Sequence, residues 1–247
     1  MRIINLFRKF KSFIQEKELN QIVELDPDTR DIFDKIKPFT MTNEIRLWSM
    51  YQSLKWINNK KVDGDIVETG CWKGGNLFLA NMYEKLYGKN NRIIYGYDTF
   101  SGMPTPTKED FKWQQTFGQT LNRWKKNSKQ NTNQWAYTSL EDTKKNAEQF
   151  LSKHKIKFVQ GMIEDTLKLK KNLPKKISLL RIDTNFYSST KIALEILEPL
   201  VQKDGVIIFD DYGSWVGASK AIDNYFVNKP IWLHRVDRGS RLLIKNY

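Results

Sequence analysis

From residue 65 onward the sequence alternates short apolar runs with longer helical patterns, and most of the runs stop at a glycine or an acidic residue. Asp65–Thr69 (DIVET) stops at Gly70, and 92–97 (RIIYGY) stops at Asp98. Ile177–Ile182 (ISLLRI) stops at Asp183, and 206–209 (VIIF) at Asp210-Asp211; 156–159 adds one more run. Helical patterns fall at 76–87, 140–154, 188–200 and 215–227. Parallel strands need a crossover to return alongside one another, and helices serve that purpose here. Runs 231–236 and 241–245 flank Asp237-Arg238-Gly239-Ser240, a hairpin signal. The expected fold is α/β: a mostly parallel seven-stranded sheet with helices on both faces and a C-terminal antiparallel hairpin.

The first 60 residues read as an N-terminal helical extension, and 61–247 as the α/β domain. Asp26-Pro27-Asp28 breaks the first helical region, a short helix covers 32–37, and a longer one follows Thr42 or Asn43 as cap. The opening residues are not a signal peptide, because Arg8, Lys9 and Lys11 interrupt the apolar stretch. They form an amphipathic pattern through Ile3, Phe7, Phe10 and Ile14. That face is expected to pack on its own domain or on a twin subunit in a homo-oligomer; peripheral membrane contact through residues 1–17 is the sharper alternative. Residues 103–139 break the alternation, with Trp113, Phe117, Trp124, Trp135 and Tyr137 standing among Lys, Asn and Gln. They follow a strand's carboxyl end, where the ligand crevice of such a sheet lies, and are expected to act as a lid.

Composition narrows the chemistry. One cysteine and two histidines among 247 residues leave no zinc site, disulfide or histidine-centred mechanism to build on. No apolar run approaches the roughly 20 residues of a membrane span, which points to a cytoplasmic protein. The formal charge of +13 suits an anionic partner without choosing one.

Three motifs carry chemistry. Glu68-Thr69-Gly70-Cys71-Trp72-Lys73-Gly74-Gly75 puts an acid and a glycine-rich turn between a strand and a helix. It fits neither the dinucleotide fingerprint nor the P-loop. Asp98, ending the second strand, is placed to accept from both hydroxyls of a ribose. Asp183, Asp210 and Asp211 end adjacent strands about 5 Å apart, where like charges repel unless a cation or proton is shared. Oxygen donors of this kind suit Mg²⁺.

With these residues the chain resembles the macrocin O-methyltransferase (TylF/MycF) family of Mg²⁺- and S-adenosylmethionine (AdoMet)-dependent sugar O-methyltransferases. The matching stretches are Thr40-Met41-Thr42, 67–75 (VETGCWKGG), 97–104 (YDTFSGMP) and the long run 179–223. The resemblance implies a Rossmann-like class I methyltransferase fold. It implies a cofactor site drawn from Thr40, Met41, Glu68, Thr69, Gly70, Trp72, Gly74 and Gly75, with Asp98 and Ser101 at the ribose. Gly161, Met162 and Ile163 would lie at the adenine. Asp183, Asp210 and Asp211 fall on the family's metal aspartates, and Asp183 is implied as catalytic base, also contacting cofactor. The family often reads D-G-D-x-Y where this chain has Asp183-Thr184-Asn185-Phe186-Tyr187, so a second acid is missing.

The expected acceptor is a sugar hydroxyl, on a nucleotide-linked or surface-polysaccharide precursor in preference to an antibiotic deoxysugar. A nucleic-acid methyltransferase is the rival enzyme, disfavoured because no N-P-P-[FY] motif follows the fourth strand. An inactive membrane-peripheral scaffold is the rival from another class, disfavoured by the intact aspartates.

Overall fold

A computed structural model describes residues 22, 24–88, 91–150 and 155–247. The segment read as amphipathic at 1–17, His154 and the end of the 140–154 helix lie outside these residues.

Helix α1 (Pro27–Ile36) begins earlier than the sequence suggests. Asp26 caps it, its Oδ1 accepting from the Thr29 N–H at 2.9 Å. Proline at the first helical position loses nothing, since its missing N–H would have had no partner there, so Asp26-Pro27 starts this helix. Of the two cap candidates for α2 (Glu44–Asn59), Asn43 does the capping, accepting from the Arg46 N–H at 2.9 Å. The Thr42 hydroxyl faces inward, accepting from Asn76 at 3.0 Å and lying 3.3 Å from Arg181.

The remaining elements keep the expected alternation, with two helices beyond those expected from the sequence, one inside 103–139 and a single turn after the third strand. They are β1 (Asp65–Thr69), α3 (Gly75–Tyr87), β2 (Ile94–Asp98), α4 (Phe117–Asn127), α5 (Leu140–Glu148), β3 (Ile156–Gln160), α6 (Ile163–Thr166), β4 (Ile177–Ile182), α7 (Tyr187–Leu197), β5 (Val201–Phe209), α8 (Val216–Phe226), β6 (His234–Arg235) and β7 (Arg241–Ile244). The seven strands run in the order β3-β2-β1-β4-β5-β7-β6. The first five are parallel, and β7 pairs antiparallel with both β5 and β6. Strand order reverses between β1 and β4, and ligand crevices of open α/β sheets lie at that switch point.

Each central strand is buried on both faces, as its near-continuous apolar sequence requires. Ile66, Leu179, Val206 and Ile208 join Leu47, Met50 and Leu54 of α2 and Phe78 of α3 in one core. Val67, Leu180, Ile182 and Ile207 join Leu194 of α7 and Ile222 of α8 in the other. Helices α1 and α2, read from sequence as an extension, lay Ile32, Phe33, Ile36 and Leu47 into that first core.

The long connection after β2 has its own structure. Thr116 and Gln119 form a capping box at the start of α4. Trp124 Nε1 donates to the Met103 carbonyl at 2.9 Å, and the Met103 N–H donates to the Trp135 carbonyl at 3.1 Å. Gly102, at φ +87°, lies so close to the Asn133 carbonyl that a Cβ would sit 1.7 Å from it. Buried Asp110 accepts from the Thr107 N–H and hydroxyl, each at 2.7 Å, and from the Tyr187 N–H at 2.8 Å. Phe186, the residue at the N-cap of α7, offers no polar side chain, so the insertion supplies that helix's cap.

Candidate active site

A cavity of about 390 Å³ opens at the carboxyl ends of β1, β2, β4 and β5. Backbone hydrogen bonds continue the sheet just past its strands: Asp183 N–H donates to the Thr69 carbonyl at 2.9 Å, and Asp210 N–H to the Ile182 carbonyl at 3.0 Å. That continuation fixes the aspartates side by side. One carboxylate oxygen from each of Asp183, Asp210 and Asp211 lies within 4.8 Å of the others.

Three like charges at that spacing repel by several kcal/mol per pair at the effective dielectric of a protein interior, a sum comparable to the stability of a whole domain. Part of the answer is a residue that the motifs passed over. Arg181 is 2% exposed, in the middle of ISLLRI. Its guanidinium contacts Glu68, Asp183 (2.8 Å) and Asp210 (2.7 Å). Glu68 is its register partner on β1, so the two side chains share a sheet face. Arg46 adds a second guanidinium, bonded to Asp210 at 2.6 Å and Asp237 at 2.8 Å. Burial opposes the Arg181 charge, yet the carboxylates of Asp183, Asp210 and Glu68 hold its pKa well above the ordinary value.

Two guanidinium groups do not balance four carboxylates. Burial raises the Asp183 carboxyl despite Arg181. Asp211 is driven well up, by burial and then by the charges of Asp183 and Asp210. Its Oδ2 is buried and accepts no hydrogen bond from the described residues. Burial likewise pushes Glu68 up to about 7. An all-oxygen cluster with excess negative charge and an orphaned buried oxygen is a donor set that fits a hard divalent cation.

The glycine-rich turn sits across the cavity floor. Gly70 takes φ +78°, and a Cβ there would lie 1.9 Å from the Asp183 carbonyl, so no side chain can stand between the ends of β1 and β4. Trp72 is also left-handed, at φ 46°. Its N–H donates to Asp98 Oδ2 at 2.8 Å, and its Nε1 donates to the Tyr137 carbonyl at 3.2 Å. Asp98 Oδ1 accepts from the Phe100 N–H at 2.9 Å. Burial raises its pKa, and the two backbone donors work against that rise.

Of the residues read as cofactor-binding, Thr40, Met41, Glu68, Gly70, Trp72, Asp98, Gly161, Met162, Ile163 and Asp183 line this one cavity. Thr69, Gly74, Gly75 and Ser101 do not. Thr69 is fully buried in the sheet. Gly74 and Gly75 pack tightly on Phe78 and on Thr40 and Phe39. The Ser101 carbonyl accepts from the Asn133 N–H at 2.7 Å.

Comparison with known proteins decides the family. The model of the Macrocin-O-methyltransferase (TylF) family matches residues 7–238. The chain belongs to that family. It is an AdoMet-dependent O-methyltransferase. Among curated relatives, it is 27% identical over 188 residues to demethyldecarbamoylnovobiocin O-methyltransferase of Streptomyces niveus, covering 75% of this chain and 67% of that one. It is 26% identical to mycinamicin III 3''-O-methyltransferase of Micromonospora griseorubida, covering 70% of this chain and 65% of that one. The chain thus spans about two thirds of the length of these relatives. The solved structure of the O-methyltransferase NovP superposes with a TM-score of 0.73 at 26% identity, covering 85% of this chain and 83% of that one.

Macrocin O-methyltransferase relatives also frame what sequence reasoning missed. Arg181 had a signal: a basic residue inside a buried strand, two before Asp183, must share its face and meet a carboxylate. Arg46, in the first turn of α2, had none, because only the tertiary fold carries that turn over the strand ends. Asn185, where the family's second acid is missing, lines the cavity at φ 65°. Cys71 lines it as well, but burial raises its thiol pKa well above the usual value, which leaves it a turn residue and not a nucleophile. His234 is an exposed residue of β6. Among the described residues no helix is long and apolar enough to cross a membrane.

Proposed function

We propose that the protein methylates a sugar hydroxyl with the help of a divalent cation, on a nucleotide-linked or polysaccharide-precursor sugar. The observation that carries this reading is one cavity lined by the glycine turn, Asp98 and the three clustered aspartates. AdoMet supplies an electrophilic methyl group. A cation held by Asp183, Asp210 and Asp211 lowers the pKa of a nearby hydroxyl.

The chain's own residues do the rest. Gly70 and Trp72 bring backbone close to the methionine end of the cofactor, and the second lone pairs of the Asp98 oxygens accept from its ribose. Met162 and Ile163 flank the adenine. Asp183 accepts the hydroxyl proton; with Asn185 in place of a second acid, no other carboxylate in this loop can take that role. Arg181 holds Asp183 in position and tempers its basicity. Half-buried Trp135 lines the cavity where a sugar would lie, and buried Trp215 backs it, so the pair excludes water from the reacting centre. The 103–139 segment serves as a lid over the cavity.

The test is a screen of sugar nucleotides for an AdoMet-dependent mass gain of one methyl, with Mg²⁺ and after metal stripping. Methylation only in Mg²⁺ supports the proposal. Methyl transfer to antibiotic deoxysugars alone supports the second reading, which the names of the Streptomyces and Micromonospora relatives favour.

A further inference from the structure

The basic side chains lining the cavity are not alike. Arg46 is committed to Asp210 and Asp237. Lys112 and Arg123 also line the cavity, but no carboxylate of the described residues lies within ion-pair distance of either. Each instead lies over an indole. Lys112 Nζ is 5.5 Å from the Trp215 ring centroid, and Arg123 Cζ is 4.1 Å from that of Trp135. The two indoles are neighbours, 5.8 Å apart and inclined by 34°. Trp215 is tied to the acidic end, where its N–H donates to the Asp211 carbonyl at 2.9 Å.

One wall of the cavity therefore runs from carboxylates, across two tryptophan faces, to two cations. An indole face holds a cation in place without neutralising it. Both charges stay available to a ligand, in a cavity whose other end repels anions. A guanidinium matches two phosphoryl oxygens at once, and an ammonium adds a point charge. Between the two ends, half-buried Trp135 gives a sugar ring an apolar edge, with buried Trp215 behind it.

We propose that Lys112 and Arg123 form an anion subsite for the acceptor's phosphoryl group, with the sugar ring beside Trp135 and its reactive hydroxyl toward Asp183. The inference rests on the sugar-methyltransferase reading and sharpens it: the acceptor is a sugar phosphate, either a glycosyl phosphate or a nucleoside diphosphate sugar. The remaining lysines of α4, Lys125 and Lys126, lie outside the cavity that Arg123 lines, so the subsite is not a general property of a basic surface.

Isothermal titration calorimetry on the full chain, saturated with S-adenosylhomocysteine, tests this with pyrophosphate, UDP and glucuronate as probes. Pyrophosphate and UDP should bind the wild type with an affinity that falls as salt rises. The Lys112→Gln/Arg123→Gln variant should bind them at least about tenfold more weakly, with S-adenosylhomocysteine affinity and thermal unfolding unchanged. UDP binding tighter than pyrophosphate assigns a nucleotide-linked acceptor; equal affinities assign a simple glycosyl phosphate. Equal binding of pyrophosphate and UDP by variant and wild type overturns the subsite, as does wild-type binding of glucuronate alone. Failure of S-adenosylhomocysteine to bind the wild type would instead overturn the methyltransferase reading. If the double variant does not fold, the single Arg123→Gln variant on exposed α4 carries the same comparison.

Discussion

Replacing Arg181 with methionine isolates the device that lets four acids share one buried corner. The guanidinium is 2% exposed, and its partners Glu68 and Asp210 are 2% and 8% exposed, so solvent screens these contacts little. Removing one member of a buried ionic cluster typically costs about 3–5 kcal/mol, because the partners are left charged and unpaired. For a chain of this size each kcal/mol moves Tm by about 2–4 °C, so the midpoint should fall by roughly 6–20 °C. The sign of the pH dependence follows from Glu68, which burial already raises to about 7 with Arg181 in place. Without the guanidinium it rises further, so the folded state gains protons that the unfolded state lacks. The variant's deficit should be largest at alkaline pH and shrink on acidification toward pH 5. Adding Glu68→Gln should recover part of the loss, giving a coupling of about 0.5–3 kcal/mol in a double-mutant cycle. Thermal unfolding followed by circular dichroism between pH 5 and 8 measures all of this. A single variant within about 2 °C of wild type across that range would show that Arg181 does not hold the cluster.

Asp210→Asn should lower methyl transfer by orders of magnitude while AdoMet still binds; full turnover after metal stripping in EDTA would refute a role for the cation. Asp98→Ala should weaken AdoMet binding by about 1.5–3 kcal/mol, the scale for hydrogen bonds to a charged group, and an unchanged Kd in the folded variant rules out the ribose contact. Glu198 accepts from Tyr225 at 2.7 Å, Tyr247 at 2.8 Å and Lys245 at 3.1 Å, and despite burial those bonds lower its pKa. Its stabilisation is complete above about pH 4.3 and lost as pH falls through the lower folded value, so the Tm gap between wild type and Glu198→Gln should close on acidification. Hydrogen exchange across residues 103–139 should slow when S-adenosylhomocysteine and acceptor are both bound; equal protection with and without them means a fixed insert and not a lid.

The sequence by itself determined the sheet, its strand ends and the acids on them. Apolar runs separated by helical patterns admit one economical arrangement, and strand ends are where polar residues first escape the core, so DIVET, ISLLRI and VIIF announced both the fold and Asp183, Asp210 and Asp211. The turn at Gly70 was legible for the same local reason. Where α1 starts was less legible, because Asp-Pro can end one helix or start the next, and the buried face of Thr29, Ile32, Phe33 and Ile36 decides that it starts one here. Tertiary structure alone decided what balances the acids. Arg46 is more than 160 residues from Asp210 in the chain, and Lys112 and Arg123 belong to an insertion whose place over the cavity no local pattern states. Electrostatic partners are chosen by distance through space, and a charge pair leaves no repeat in the sequence as a strand or helix does, so those residues became visible only once the chain had folded.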